Sequence, residues 1–425
     1  MLCAMTSHGA APATGFAVET TVRDALYDRI PLTAPEIALL GTSAFARLER
    51  IQQLGFVSRV WPGARHTRFE HSLGVLHLAR LAVAHLRGTP DGRWLTDDDA
   101  RVAVAAALLH DIGHYPFSHA IEELGPPIVP HEEAGRRQIT GPEIAPILER
   151  DWGVAPERVA ALIDPGDAEL PPGDRLLRGV LSGALDMDKL DYLPRDARAC
   201  NVPYGGVDTS RLIDAVKIVR LAAPEDAENH RIGISEKGIS PLHSLINARQ
   251  EMFDNVYWHH TNRACMAMLL RATQDAIFAN ALAPAELQTL DDASLLARLE
   301  SEAMPSVTRR LARSLRDRRI HKRAVEIGSR AFELYARLGN LFFDPGARRE
   351  VEIRLAASLA AHLNEDVPPE AILIDIPKPE RWRTDVWVAF ERPPVGFAPL
   401  MPWREVVGLT DDDFKRYEEH RRLIR

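Results

Sequence analysis

Residues 102–123 read VAVAAALLHDIGHYPFSHAIEE, an apolar run that ends abruptly in a polar stretch rich in histidine. The run before His110 is apolar on most faces, so it predicts a central helix that is largely buried. The stretch after it would bury many polar groups if it belonged to the core, and such burial is costly. We therefore interpret this stretch as the wall of a wet, charged cleft.

Histidine is concentrated around this stretch. The chain has 425 residues and 16 histidines, and half of these histidines lie between positions 66 and 131. Histidine is a mediocre helix former, so helix propensity does not explain the concentration. His77 and His85 are interpreted as packing residues, which leaves the others as candidates for chemistry.

His110 and Asp111 stand next to each other at the end of the apolar run. Neighbouring helical side chains point about 100° apart, so this pair can share one metal ion only where the helix ends. Gly113 is expected to supply the bend. Imidazole and carboxylate together suit Zn, Fe, Mn or Ni. His71 could face the pair across a helix contact. Three acids of the segment GALDMDKLDYL remain open as a fourth ligand: Asp186, Asp188 and Asp191.

Composition places the chain among ordinary globular proteins. Hydrophobic residues make up 46% and charged residues 26%, which excludes a disordered chain and a small disulfide scaffold. The net charge of −8 disfavours a protein that coats nucleic acid. The three cysteines are scattered and form no CxxC pair, which argues against a thiolate zinc site. No signal-peptide pattern and no long apolar run is found, so a cytoplasmic location without a membrane span is expected.

The remaining pattern predicts a mostly α protein with short β-hairpins and a small α+β C-terminal region. Hairpins are expected at 16–33 and at 230–240, and helices at about 35–54 and 241–280. The stretches AILIDIP and DVWVAF near the C-terminus are each expected to form a strand.

Four motifs together resemble a known family. They are RHTRFEHSLGV (65–75), ALLHDIGHYPFSHAIE (107–122), HEE (131–133) and DMDKLDYLPRDA (186–197). In this order they resemble the HD-domain metal phosphohydrolases, and most closely the deoxynucleoside triphosphate triphosphohydrolases with their bacterial dGTPase-like members. The resemblance implies an HD-domain helical core. The expected organisation is a mobile N-terminal tail (1–15), a hairpin and helix (16–60), the phosphohydrolase core (61–280) and a helical and α+β region packed on that core (281–425).

The resemblance also implies a role for each matching residue. Metal ligands are expected at His71, His110, Asp111 and Asp188. Catalytic residues are expected at His114, His119, Glu122 and His131. Substrate-binding residues are expected at Gln53, Leu54, Arg68, Lys189, Tyr192, Asp196, Arg249 and Tyr257. The implied cofactor is a divalent transition metal (Fe, Mn, Zn, Ni or Co), with Mg as a further candidate.

The implied reaction is metal-dependent hydrolysis of (deoxy)nucleoside triphosphates to nucleoside and triphosphate, with water attacking the α-phosphate. Two alternatives stay open. One is an HD phosphohydrolase acting on a nucleoside monophosphate, GTP or an alarmone, and the other is a nucleotide-sensing protein with a low-activity site. Family likeness further implies a homo-oligomer. The basic stretch at 309–323 is interpreted as a solvated helix face or, alternatively, as a site for single-stranded nucleic acid or nucleotide phosphates.

Overall fold

The computed structural model describes residues 13–221, 229–378, 385–410, 412–413 and 423–425. Helices dominate these residues, as the sequence predicted. The α-helices are α1 (Ala34–Leu40), α2 (Ser43–Ala46), α3 (Arg68–Gly88), α4 (Asp97–Leu109), α5 (His131–Ile139), α6 (Ala145–Ile147), α7 (Pro156–Ile163), α8 (Pro172–Leu181), α9 (Met187–Cys200), α10 (Thr209–Ala215), α11 (Ile239–Met252), α12 (His260–Phe278), α13 (Asp292–Glu300), α14 (Ser306–Arg316), α15 (Phe332–Gly339), α16 (Pro345–Leu363) and α17 (Trp403–Val406). The strands are β1 (Val18–Asp24), β2 (Asp28–Thr33), β3 (Val216–Arg220), β4 (His230–Ser235), β5 (Trp387–Ala389) and β6 (Leu400–Pro402).

The N-terminal elements differ in part from the prediction. β1 and β2 form the antiparallel hairpin that was predicted at 16–33. The continuous helix predicted at about 35–54 is wrong, because α1 ends at Leu40 and a new helix begins at Ser43. Thr42 caps that second helix, with its hydroxyl accepting a hydrogen bond from Phe45 N at 3.3 Å.

A short extended segment around Gln52 follows the broken helix and lies beside the candidate site. Gln52 forms an antiparallel bridge with Thr67. Arg68 N donates to Ile51 O at 3.0 Å, on the same side of this bridge. The chain before α3 is therefore held against the start of α3.

α3 and α4 form the centre of the fold. α4 begins after Thr96, whose hydroxyl accepts from Asp99 N at 3.1 Å, and every residue from Val102 to Leu109 is buried. The helix is covered by α3, α7 and α8. This confirms the predicted central helix. His110 directly follows its last buried residue, Leu109.

A second apolar cluster ties the C-terminal helices to the segment after α4. Leu269 of α12, Leu295 of α13 and Leu311 of α14 are buried together with Ile121 and Leu124. The last two residues belong to a 3-10 helix at Ser118–Leu124. The C-terminal helices thus pack directly against one wall of the site.

The hairpin predicted at 230–240 is wrong. β4 ends at Ser235, and Glu236–Gly238 form a 3-10 turn that leads into α11. β4 instead pairs antiparallel with β3 and parallel with β5, in a sheet of order β3-β4-β5-β6. The antiparallel partner of β4 precedes it in the chain, so residues 230–240 contain no hairpin turn.

Two predictions for later segments are also corrected. The helix predicted at 241–280 is divided into α11 and α12 by a π-helical turn at Phe253–Tyr257. DVWVAF contains β5, but AILIDIP forms no sheet strand. Its Asp375 instead exchanges backbone hydrogen bonds of 2.8 and 2.9 Å with Arg425. The stretch is therefore extended and paired at this one residue, but it does not join the sheet.

Of the predicted mobile tail at 1–15, residues 1–12 lie outside the described residues. Thr14 is buried, and its carbonyl accepts a hydrogen bond from Arg101 Nε at 3.1 Å. Across the described ranges, none of the helices combines the length and the apolar character needed to cross a lipid bilayer.

Candidate active site

Four side chains converge where α4 ends. His71 comes from α3, His110 and Asp111 follow α4, and Asp188 comes from the first turn of α9. His71 Nε2 lies 3.0 Å from Asp188 Oδ1 and 3.3 Å from His110 Nε2. Asp111 Oδ1 lies 3.3 Å from His110 Nε2, and its Oδ2 lies 3.7 Å from His71 Nε2. Ligand atoms of His71, His110 and Asp188 all lie within 4.8 Å of one another, and with the adjoining Asp111 carboxylate they form a set that can hold one divalent transition metal.

The imidazole of His71 is oriented from behind by Asp191. His71 Nδ1 lies 2.7 Å from Asp191 Oδ2, so Nδ1–H donates to the carboxylate while Nε2 faces the cluster. Asp191 is fully buried and also accepts from Tyr27 OH and Arg195 Nε, both at 2.8 Å. A carboxylate behind a histidine is the usual support of a metal-ligating imidazole.

The structure assigns different positions to the three acids that the sequence left open as a fourth ligand. Asp188 and Asp191 are three residues apart on α9, so they face the same side of the helix and both reach His71. Asp186 lies before the helix and caps it, accepting from Lys189 N and Gly183 N, each at 2.9 Å. Asp188 alone among the three lies inside the cluster.

Negative charge dominates the electrostatics of the cluster. Burial disfavours the imidazolium of His71, but hydrogen bonds to Asp188 and Asp191 outweigh this and raise its pKa to about 10. Burial also opposes ionisation of Asp111, yet the Arg68 guanidinium and the neighbouring imidazoles hold the pKa of Asp111 well below its usual range. The acids therefore stay ionised, and they favour a bound cation.

A second set of imidazoles adjoins the first through Asp111. His114 Nε2 lies 3.1 Å from Asp111 Oδ1, and the His114 ring stacks on His131 with centroids 3.8 Å apart. Glu122 lies between two histidines, with one oxygen 2.8 Å from His131 Nδ1 and the other 2.9 Å from His119 Nδ1. One carboxylate thereby orients two imidazoles that sit next to the metal-holding cluster.

The pKa values of the two stacked imidazoles, His114 and His131, are shifted in opposite directions. Burial, Arg68 and His131 all lower the pKa of His114 well below its usual value, so this ring is neutral near pH 7. Burial also lowers the pKa of His131, but Glu122 outweighs burial and raises it. Glu122 keeps a lowered pKa, because its two imidazole partners overcome its burial. Of the stacked pair, His131 is thus the ring suited to carry a proton at neutral pH.

Gly113 lies between the two sets, but not for the predicted reason. Its φ lies outside the left-handed region, so no bend at this position demands glycine. A Cβ on Gly113 would instead lie 2.1 Å from His131 O and 2.3 Å from Gly135 N. Glycine is needed because α5 packs directly against the backbone here.

Arg68 bridges the metal-holding cluster and the segment that carries His119. It is the first residue of α3 and is almost fully buried. Its Nη1 donates to Asp111 Oδ2 at 2.6 Å, and its Nε donates to Ser118 Oγ at 3.0 Å. Sequence reasoning missed Ser118, because a hydroxyl beside a histidine carries no signal of its own.

Comparison with known families agrees with this geometry. The model of the HD domain matches residues 68–165, which span His71, His110, Asp111 and the three further histidines. The chain contains an HD domain. A second family model, described as an HD associated region, matches residues 207–390.

Relatives of this HD-domain protein are named in different ways. An uncharacterized protein of Methanocaldococcus jannaschii is 32% identical over 293 residues, covering 68% of this chain and 57% of that protein. The deoxynucleoside triphosphate triphosphohydrolase SAMHD1 of Homo sapiens is 28% identical over 280 residues, covering 59% of this chain and 44% of that protein. The crystal structure of a hypothetical protein from Aquifex aeolicus aligns with a TM-score of 0.68 at 25% identity, covering 91% of each chain. The chain spans about half the length of the curated relatives it matches.

Other predicted substrate residues form a second wall, which lies mostly beyond the HD-domain match. Tyr257 OH donates to Asp196 Oδ2 at 2.7 Å, and His66 Nε2 lies 2.7 Å from Asp196 Oδ1. The Tyr192 ring is centred 6.5 Å from Tyr257 and 6.4 Å from His71. Tyr192 thereby links this wall to the metal-holding cluster.

The two predicted cations of this wall lie beside Tyr192. Burial raises the pKa of Tyr192 to about 12, and the charges of Arg249 and Lys189 oppose that rise. Lys189 Nζ donates to Gly183 O at 2.9 Å and to Asp186 Oδ2 at 2.6 Å. Lys189 is therefore tied to the loop before α9 in this structure.

Gln53 and Leu54 lie at the edge of the HD domain. The backbone N of Gln53 donates to His66 O at 3.0 Å, which places Gln53 beside the start of α3. Its side chain is buried, and Oε1 has no hydrogen-bond partner within the described residues. A buried acceptor of this kind is suited to a ligand hydroxyl.

Proposed function

We propose that this HD-domain protein hydrolyses (deoxy)nucleoside triphosphates to nucleoside and triphosphate with the help of a divalent transition metal. One observation carries the proposal: Asp111 contacts His110 of the metal-holding cluster, the Arg68 guanidinium and His114, whose ring stacks on the His131 ring that Glu122 orients. The likeness to a human deoxynucleoside triphosphate triphosphohydrolase supports this substrate class.

Phosphate binding would fall to the cluster and to Arg68. His71, His110, Asp111 and Asp188 would hold the metal, which when bound supplies positive charge beside the phosphoryl oxygens and lowers the pKa of a water molecule. Arg68 would donate to oxygens of the α-phosphate, with its planar guanidinium already held by Asp111 and Ser118.

Proton transfer would fall to the histidines that Glu122 orients. Water attacks the α-phosphorus and the bond from phosphorus to the 5′ oxygen breaks, so the leaving 5′ oxygen needs a proton. His131 or His119 would donate it, since both are bonded to Glu122 through Nδ1 and hold Nε2 for the substrate. One water is consumed for each nucleoside and triphosphate released.

A nucleotide panel with product identification tests this function. The full chain is loaded in turn with Mg, Mn, Fe or Co and incubated with all dNTPs, NTPs and monophosphates. Liquid chromatography is expected to show nucleoside and intact triphosphate from dNTPs in at least one metal. Release of only pyrophosphate or single phosphates would contradict the proposal and favour another HD phosphohydrolase.

Glu122→Gln is expected to shift the pH profile of hydrolysis. The Glu122 carboxylate raises the pKa of His131, so its loss lowers that pKa and moves the alkaline limb of kcat/KM to lower pH. At pH 7 the rate should fall roughly 10- to 100-fold, within the usual contribution of a general acid. Glu133→Gln, which removes a partly exposed partner of Arg137, is the matched control. An unmoved alkaline limb would show that His131 is not the proton donor.

Partners beyond the nucleotide remain predictions. In α14, Arg309 contacts Glu302, Arg310 Nε lies 2.6 Å from Glu370 Oε1, and Arg316 contacts Glu300. These paired charges favour the interpretation of 309–323 as a solvated helix face over a site for single-stranded nucleic acid. A homo-oligomer is supported by family resemblance alone.

A further inference from the structure

Asp292 connects the C-terminal helices to two backbone segments of the candidate site. It is the first residue of α13, and it is only 7% exposed. Its Oδ2 accepts from Gln52 N at 3.0 Å, and its Oδ1 accepts from Phe117 N at 2.6 Å. Each carboxylate oxygen therefore holds a different segment of the chain.

The start of α13 does not need this carboxylate. Asp291 caps the helix, accepting from Ser294 N at 2.8 Å, and it also accepts from Arg50 Nε at 2.7 Å. Asp292 makes both of its hydrogen bonds outside the helix. Burying a carboxylate is unfavourable, and burial raises the pKa of Asp292 to about 6 against the opposing effect of its two N–H donors. Helix formation alone does not explain an acid at this position.

The segment held by Oδ2 positions the Arg68 side chain. Gln52 O accepts a hydrogen bond from Ser118 Oγ at 2.9 Å, and Ser118 Oγ accepts from Arg68 Nε at 3.0 Å. Gln52 also pairs with Thr67, the residue before Arg68. A displaced Gln52 would move both the hydroxyl and the backbone that orient the guanidinium.

The segment held by Oδ1 is a strained turn just before His119. Phe117 and Ser118 both have a φ of 58°, which is unfavourable for residues that carry a side chain. This turn leads directly into the 3-10 helix that carries His119 and Glu122. A hydrogen bond from the Phe117 amide to a buried carboxylate holds the turn in place.

We propose that Asp292 is a positioning residue of the HD site, which holds these two segments in register so that Arg68 and His119 keep their places. Asp292 lies outside the HD-domain match at 68–165 and inside the HD associated region at 207–390. The second region thus completes the site of the first. The effect on rate rests on the proposed function, whereas the effect on the two backbone segments does not.

Kinetics of three variants of the full chain form the first test. Asp292→Ala removes both acceptors, and kcat is expected to fall roughly 10- to 100-fold, as small displacements of positioned groups do. Asp292→Asn keeps one acceptor oxygen, so its kcat should lie between those of Asp292→Ala and wild type. Asp291→Asn disturbs the same helix start without touching Gln52 or Phe117, and its kcat should stay within about twofold of wild type. Bound metal should be unchanged in all three.

Amide exchange of the same variants gives a readout that does not depend on turnover. Peptides that contain Gln52 and Phe117 should exchange faster in Asp292→Ala and Asp292→Asn than in wild type, and should be unchanged in Asp291→Asn. Unchanged exchange in both Asp292 variants, or an equal loss of kcat in Asp291→Asn, would overturn the inference. If the wild type hydrolyses no nucleotide, the proposed function fails, and exchange alone still decides the role of Asp292.

Discussion

Replacing both His110 and Asp111 with alanine is expected to abolish metal binding and hydrolysis together. A bound metal contributes several kcal/mol to phosphoryl transfer, so kcat/KM should fall about 1,000-fold or more. His71 and Asp188 would remain, but two ligands are too few for a tight site. Elemental analysis and product chromatography on the same samples measure the two losses.

Two further variants make this result interpretable. The double variant leaves Arg68 buried without its carboxylate, which by itself destabilises the fold. Asp188→Asn avoids this problem, since that side chain is one-third exposed and the amide keeps its shape. His362→Ala, exposed on α16, is the histidine control and should keep both metal and turnover. Full metal content in the double variant and in Asp188→Asn would mean that the metal sits elsewhere.

Gly113→Ala is expected to destabilise the fold and to slow turnover. The new Cβ would lie 2.1 Å from His131 O and 2.3 Å from Gly135 N, both backbone atoms that cannot rotate away. Overpacking of this kind costs about 3 kcal/mol, which for a chain of 425 residues lowers the melting temperature by roughly 3–4 °C. Because His131 must shift, turnover should fall as well. Calorimetry and product assays measure the two effects.

Gly88→Ala is the matched control for this substitution. Gly88 ends α3, and a Cβ there would meet nothing within 4 Å. Its melting temperature should be unchanged or slightly raised, since alanine favours a helix by up to about 1 kcal/mol over glycine. Equal melting temperatures for the Gly113 and Gly88 variants would show that α5 can move away from the loop after α4.

Local patterns predicted the elements that depend on local chemistry. The N-terminal hairpin and the buried helix α4 follow from alternation and from an apolar run, each within its own segment. β4 pairs with β3, which comes shortly before it in the chain, and with β5, which lies far beyond it, so the pattern within 230–240 could not reveal either pairing. The strand predicted for the stretch around Asp375 was wrong because this stretch pairs with Arg425, far along the chain, and not with the sheet.

The candidate site shows the same division. Family resemblance singled out His71 and Asp188, and the structure brings their side chains together. The residues alone could not choose among the three acids near α9, because the choice depends on which helix face meets His71. Asp292 gave no signal at all, since a buried acid that binds two backbone amides leaves no motif in the sequence.

The buried carboxylate of Asp191 has a consequence for how such a protein can be dissected. Behind the His71 ring it gathers Tyr27 OH from the N-terminal hairpin and Arg195 from α9, and Arg195 in turn donates to Asp24 at 2.8 Å. A transplant of residues 68–165 into another scaffold would leave all four of these groups behind, together with Asp188. Residues 68–165 alone therefore cannot transfer the site to another scaffold, and a redesign has to include the N-terminal hairpin and α9.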